Sequence, residues 1–221
     1  VGYSGQSQSH FDSQQYWENG TTNQPYYEEG MLYRHVARTM DPVNNHFVAA
    51  ALTSNQMVAL MGPLPVPTIA DPRTFSFAGS AAKVQKFLGS LPSTPVGPDG
   101  KGMLGFYGGT RDFAAKLNRD LVYGTGVALA DAISIVQNAL ALGPYTPENG
   151  AVYPGGGFGQ RLQQVSMLFK RTPLRVAGVN IGGWDTHTNQ GGATGSHGNL
   201  LPDPAGGDQA LYPDPQDQWE E

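Results

Sequence analysis

Cysteine is missing altogether from the 221 residues. That excludes disulfides, thiolate metal sites and a cysteine nucleophile, while leaving the compartment open. Charge is scarce too: 14% of residues are Asp, Glu, Lys or Arg, for a net charge of −5, and Lys and Arg never form a run. A nucleic-acid binder carries a basic patch, so that class is set aside. No apolar stretch reaches the ~20 residues of a membrane-spanning helix, so no membrane span is expected. No secretory leader is visible. The first residue is Val1 rather than Met, and the expectation is a processed product or an internal piece. Glycine and proline are abundant, at 30 and 17. The chain is therefore loop-rich, yet long enough for one sizeable domain with a real core.

The stretch richest in chemistry runs from Val176 to His187, VAGVNIGGWDTH. Val176, Ala177, Val179 and Ile181 form a near-continuous apolar run, which suits a strand covered on both faces. Gly182 and Gly183 allow a sharp turn. In open α/β sheets, ligands gather beyond the carboxyl ends of strands, and Asp185 and His187 would sit there. A carboxylate and an imidazole on one loop can ligate a metal or act as an acid/base pair. Taken alone, such an Asp-x-His is more often a capping aspartate beside a surface histidine.

A second motif lies near the start, Ser9-His10-Phe11-Asp12. Ser9 with Asp12 resembles a capping box that opens a helix ended by Gly20. A hydroxyl at a helix N-terminus suits an anion, or attack on one. An ordinary cap is the plainer reading.

Between the motifs, Glu28–Met40 reads as an amphipathic helix, with Leu32, Val36 and Met40 on one face and His35 a packing or surface histidine. Phe47–Leu52 reads as a short buried strand, although its alanines also allow a helical turn; Met57–Met61 reads as another short strand, and Phe75–Phe77 as a small one. Ala81, Val84, Phe87 and Leu88 mark a helix face. Residues 89–110 are turn-rich and hold no phosphate-loop pattern. Thr110 is expected to cap a helix through Leu121. A second helical stretch spans Leu129 to Leu140, and Gly124 and Gly126 allow a hinge or bend at the junction. Tyr153–Gly159 reads as a turn and Gln160–Lys170 as a helix. Beyond His187 the apolar pattern fades. Residues 191–217 read as loop, and Asp203, Asp208, Asp214 and Asp217 lack calcium-loop spacing.

The SHFD motif, Tyr16-Trp17-Glu18-x-Gly20 and Ile181-Gly182-Gly183-Trp184-Asp185-Thr186-His187-x-Asn189-Gln190 together resemble one bacterial family, domain-of-unknown-function family 1501, within the alkaline-phosphatase-like and sulfatase-like superfamily. The pieces Gly30-Met31-Leu32-x-Arg34, the segment around 51–63 and Gly159-x-Arg161-Leu162 extend the resemblance across 9–190. It implies a three-layer α/β/α sandwich with a largely parallel, doubly wound sheet. It also implies a divalent metal, zinc or manganese, and export to the periplasm or beyond. In this superfamily a metal-assisted hydroxyl at a helix N-terminus attacks phosphorus or sulfur in line. By position, Ser9 is the nucleophile and Asp185 and His187 are metal ligands. His10 and Asp12 are secondary candidates for ligation, and Trp184 is expected to pack under the loop.

The family also carries an Asp-Gly segment before SHFD, and later Glu-Phe-Gly-Arg and Asp-His-Gly regions, none of which is in this sequence. The expectation is thus the middle portion of a longer protein, with an incomplete sheet over 1–190, a Gly/Asp/Pro-rich loop or insertion over 191–221, and at most half of a two-metal site. Its partners would be the remaining segments of the parent protein, a complementary chain, or further copies in a homo-oligomer or assembly. The function implied is that of a fragment of an exported phosphate- or anionic-ester hydrolase, inactive on its own. No C/S-x-P-x-R motif of formylglycine sulfatases is present. The competing reading is a non-catalytic exported binding or surface-assembly module.

Overall fold

The computed structural model describes residues 9–21, 28–42, 44–79, 113–186 and 190–214, with the backbone alone for 113–123. Two parallel strands lie at its centre. Strand β1, Ala49–Ala51, pairs with β2, Val176–Gly178, in the register Ala49↔Val176, Ala50↔Ala177, Ala51↔Gly178. The ladder is extended by Leu52 N–H donating to Gly178 O at 2.7 Å and Arg175 N–H donating to Val48 O at 2.8 Å. The side-chain period of two sends β1 into two separate cores. Ala50 and Leu52 join Phe47, Ile69, Val136, Val165, Leu168 and Leu174 on one side. Ala49 and Ala51 join Val36, Val48 and Leu60 on the other. Burial on both faces explains why β1 has no polar alternation.

Helix α1, His10–Asn19, and helix α2, Met31–Thr39, pack on the segment around Val58–Leu60. Gly30, which caps α2, lies so close to that segment that a Cβ would stand 2.0 Å from Val58 O. Helix α3, Phe113–Ala141, and helix α4, Gly156–Arg171, supply the larger core. Helix α5, Pro202–Leu211, lies on α4. Among the described residues, no helix is long and apolar enough to cross a membrane.

Mixed α/β character is therefore present. Among the described residues the sheet has two strands, and β2 ends at Gly178, short of the strand expected through Ile181. Other expectations change for identifiable reasons. Met57–Met61 is a 3₁₀ turn over Val58–Leu60, closed by Leu60 N–H to Met57 O and Met61 N–H to Val58 O, both at 3.1 Å. Pro63, Pro65 and Pro67 follow and cannot donate to a ladder. Phe75–Phe77 is not a strand; it follows a 3₁₀ turn, Pro72–Thr74, capped by Asp71. Helix α3 runs unbroken through Gly124 and Gly126, so no hinge divides it. Its interior glycines cost about 1 kcal/mol each, too little to break a helix held by tertiary packing.

Helix α4 begins at Gly156, inside the expected turn. Gly159 belongs to its first turn because the backbone there meets Pro154 O, which a Cβ would approach to 1.9 Å. Residues 202–211 form a helix rather than a loop. Pro202 occupies its first turn, where a missing N–H costs nothing. Buried Gly207 lets α5 close on Leu162, whose Cδ1 would lie 2.3 Å from an added Cβ. The helix expected around Ala81–Leu88 and the Thr110 cap lie outside the described residues.

Candidate functional site

Ser9 is the N-cap of α1. Its backbone is extended (φ −81°, ψ 128°), and its Oγ accepts the Asp12 N–H at 3.3 Å. Asp12 stands in the first turn, where a carboxylate opposes the positive end of the helix dipole. Gly20 closes the helix in the left-handed region at φ 63°. The C-terminal half is tied down. Glu18 Oε2 accepts the Ala59 N–H at 2.9 Å, and Glu18 Oε1 accepts from Gln14 Nε2 at 2.6 Å. The Arg34 guanidinium donates to Asn19 O and to Glu29 O, each at 2.6 Å. Ser9 and His10 are thus presented from an anchored helix.

The second limb leaves β2 and turns at Gly183, whose φ of 92° disfavours any side chain. Trp184 and Asp185 follow, and the Thr186 N–H donates to Trp184 O at 3.1 Å. Trp184 packs edge-to-face on His197, with centroids 5.4 Å apart and planes at 67°. Leu200 lies beside Gly183. The tryptophan therefore docks on the segment that follows the loop.

The two limbs meet. His10 Nε2 lies 3.7 Å from Asp185 Oδ2, with side chains 71% and 49% exposed. An exposed His–Asp pair contributes ~0–1 kcal/mol, so its interest lies in its position and not in its stabilising power. It joins the SHFD helix to the GGWDTH loop. His187 lies outside the described residues. Among the described residues no three His, Asp or Glu side chains are grouped to hold a metal. An imidazole nitrogen and a carboxylate oxygen are both zinc-type ligands, and their separation is a few tenths of an ångström wider than the roughly 3.4 Å between two tetrahedral positions.

The other histidines serve different ends. His35 is exposed on α2, beside Thr39. His46 Nδ1 pairs with Asp131 Oδ2 at 3.4 Å, linking the approach to β1 to α3.

Sequence reasoning passed over Asp214. It is fully buried. Its Oδ1 accepts from Tyr145 Oη and from Glu148 N–H, both at 2.7 Å, and its Oδ2 accepts from Tyr153 Oη at 2.5 Å. Ser166 Oγ bonds Tyr153 Oη in turn, and Lys170 pairs with Glu148. Burial, then the bond to Asp214, pushes both phenols well above the usual tyrosine range. No spacing marks this cluster in the sequence, because its members come from the α3–α4 connection, from α4 and from the residues after α5.

Elsewhere, the Arg73 guanidinium grips Asp71 at 2.7–3.1 Å. Its hydrogen bond holds the Asp71 carboxyl below the usual range. Arg73 borders a cleft of about 360 Å³ lined also by Pro72, Tyr145, Gln160, Gln164 and Met167. That cleft shares no residue with the His10–Asp185 pair. No family model, curated protein or solved structure matches the chain.

Proposed function

We propose that the His10–Asp185 pair belongs to a divalent-metal site of a hydrolase acting on phosphate or other anionic esters, with Ser9 as its nucleophile. The observation that carries this reading is the 3.7 Å approach of His10 to Asp185, which brings together two motifs far apart in sequence. His10 and Asp185 would hold the ion, zinc or manganese, with His187, two residues beyond Asp185, as a further ligand. When bound, it would supply Lewis-acid stabilisation of negative charge. Ser9 Oγ contributes the attacking oxygen from the positive end of α1, where an anion is favoured. Asp12 keeps that end of the helix formed. The larger architecture that goes with this reading is a three-layer sandwich completed by further segments of a longer exported protein.

A second reading is a binding or assembly module. It draws on Phe11 and Trp17, which are 79% and 74% exposed on α1. One experiment separates the two. Zinc and manganese are titrated calorimetrically into the chain and into its His10→Ala and Asp185→Asn variants, with turnover of p-nitrophenyl phosphate followed in parallel on the longest available form. The hydrolase reading expects stoichiometric binding, weakened at least about tenfold in either variant. No binding by the folded wild-type chain, together with self-association that Trp17→Ser abolishes, overturns it in favour of the assembly module.

A further inference from the structure

We infer that residues 190–214 form a strap. Its far end is locked by Asp214, and its near end holds the Gly183–Asp185 turn in position. The near end is defined by two contacts: His197 packs on Trp184, and Leu200 rests beside Gly183. From there the strap is continuous. His197 N–H donates to Gln190 O at 3.3 Å, Leu200 N–H to His197 O at 3.1 Å and Ala205 N–H to Leu201 O at 3.2 Å. Helix α5 carries it across α4, seated through buried Gly207 and Ala210. Tyr212 N–H to Asp208 O at 3.1 Å and Asp214 N–H to Ala210 O at 3.4 Å bring the chain to the lock.

The two ends differ in kind. The near end is partly exposed and made of ring and methyl contacts. The far end is a fully buried carboxylate with three donors aimed at it. A site that opens locally does so where contacts are few and backbone bonds are exposed. The Trp184–Asp185 turn is partly exposed, and the Thr186 N–H to Trp184 O bond within it is of that kind. The turn thus takes order from the strap, through Trp184 on His197, as well as from the His10 contact, and the strap takes its order from Asp214. In this assignment Asp214, Tyr145 and Tyr153 are positioning residues for Asp185 and touch no substrate. What the positioned loop is for rests on the hydrolase reading above; the coupling itself does not.

The test is amide hydrogen exchange by mass spectrometry on the chain without metal or substrate, comparing wild type, Asp214→Asn and the milder Tyr153→Phe. Exchange at Thr186, His197, Asn199 and Leu200 is expected to accelerate about tenfold or more in both variants. The bonded amides of Leu52 and Ile69 beside the sheet should stay better protected than these in all three proteins. The inference is overturned if the strap and turn amides are unchanged. It is equally overturned if the strap and turn amides open only together with Leu52 and Ile69, with equal opening free energies in every protein, because Asp214 would then anchor the whole fold and not this loop. Neither result depends on metal binding, so the two proposals fail separately.

Discussion

Asp214 has no exposed surface, and burying a carboxylate is costly unless its oxygens are bonded. Tyr145, Tyr153 and the Glu148 amide meet that need. Tyr153→Phe removes one bond to a charged acceptor and strands the Ser166 hydroxyl, so it should destabilise the chain by about 1.5–3 kcal/mol in urea unfolding. The cluster also sets an alkaline limit. Both phenols have folded pKa values raised above the unfolded value of about 10. Their contribution is fully present below that pH and is lost as pH rises above it, by at most about 1.4 kcal/mol per pH unit for each phenol. Stability measured from pH 8 to 11 should therefore bend downward near 10. The bend should be shallower in Tyr153→Phe, and an identical bend in both proteins would rule out this origin. None of this was legible in the sequence, because Asp214 sat among aspartates in a Gly/Pro-rich tract. Burial and partnership are properties of the folded tail.

The elements that announced themselves were those with their own punctuation. Helix α1 was legible from Ser9, Asp12 and Gly20, and α2 from the fourfold spacing of Leu32, Val36 and Met40. Helix α5 was hidden because its glycines read as loop residues. In the fold Gly207 is a close-packing point against Leu162. The Met57–Met61 run was apolar for burial alone and folded as a 3₁₀ turn, since hydrophobicity over five residues does not choose a backbone. The cap on α1 permits a separation of structure from chemistry. Ser9→Ala should cost about 1 kcal/mol in stability through the lost cap, whereas Ser9→Asp keeps a capping oxygen and costs little. If Ser9 is the nucleophile, both variants lose turnover while Ser9→Asp keeps wild-type helicity and melting. Retained turnover in Ser9→Asp would remove Ser9 from the mechanism.

At the scale of the whole molecule, two short parallel strands separate two apolar clusters, and the catalytic candidates stand where β2 runs out toward Asp185. That placement was legible in outline. A buried strand followed by Gly-Gly and an Asp fits the sheet-edge rule, and the structure brings His10 to it. The pairing of β1 with β2 was not legible, because register depends on partners distant in sequence. A ligand that binds only the folded state stabilises it by about 2.7 kcal/mol at a hundred times its Kd. For a chain of this size that is a rise in Tm of roughly 5–11 °C. Zinc or manganese at saturating concentration should produce such a rise in wild type and none in a His10→Ala, Asp185→Asn double variant, as read by scanning calorimetry. Magnesium at equal concentration is the control for ionic strength. An equal rise in the double variant would place the ion elsewhere, because the imidazole and the carboxylate that meet at the junction would both be gone.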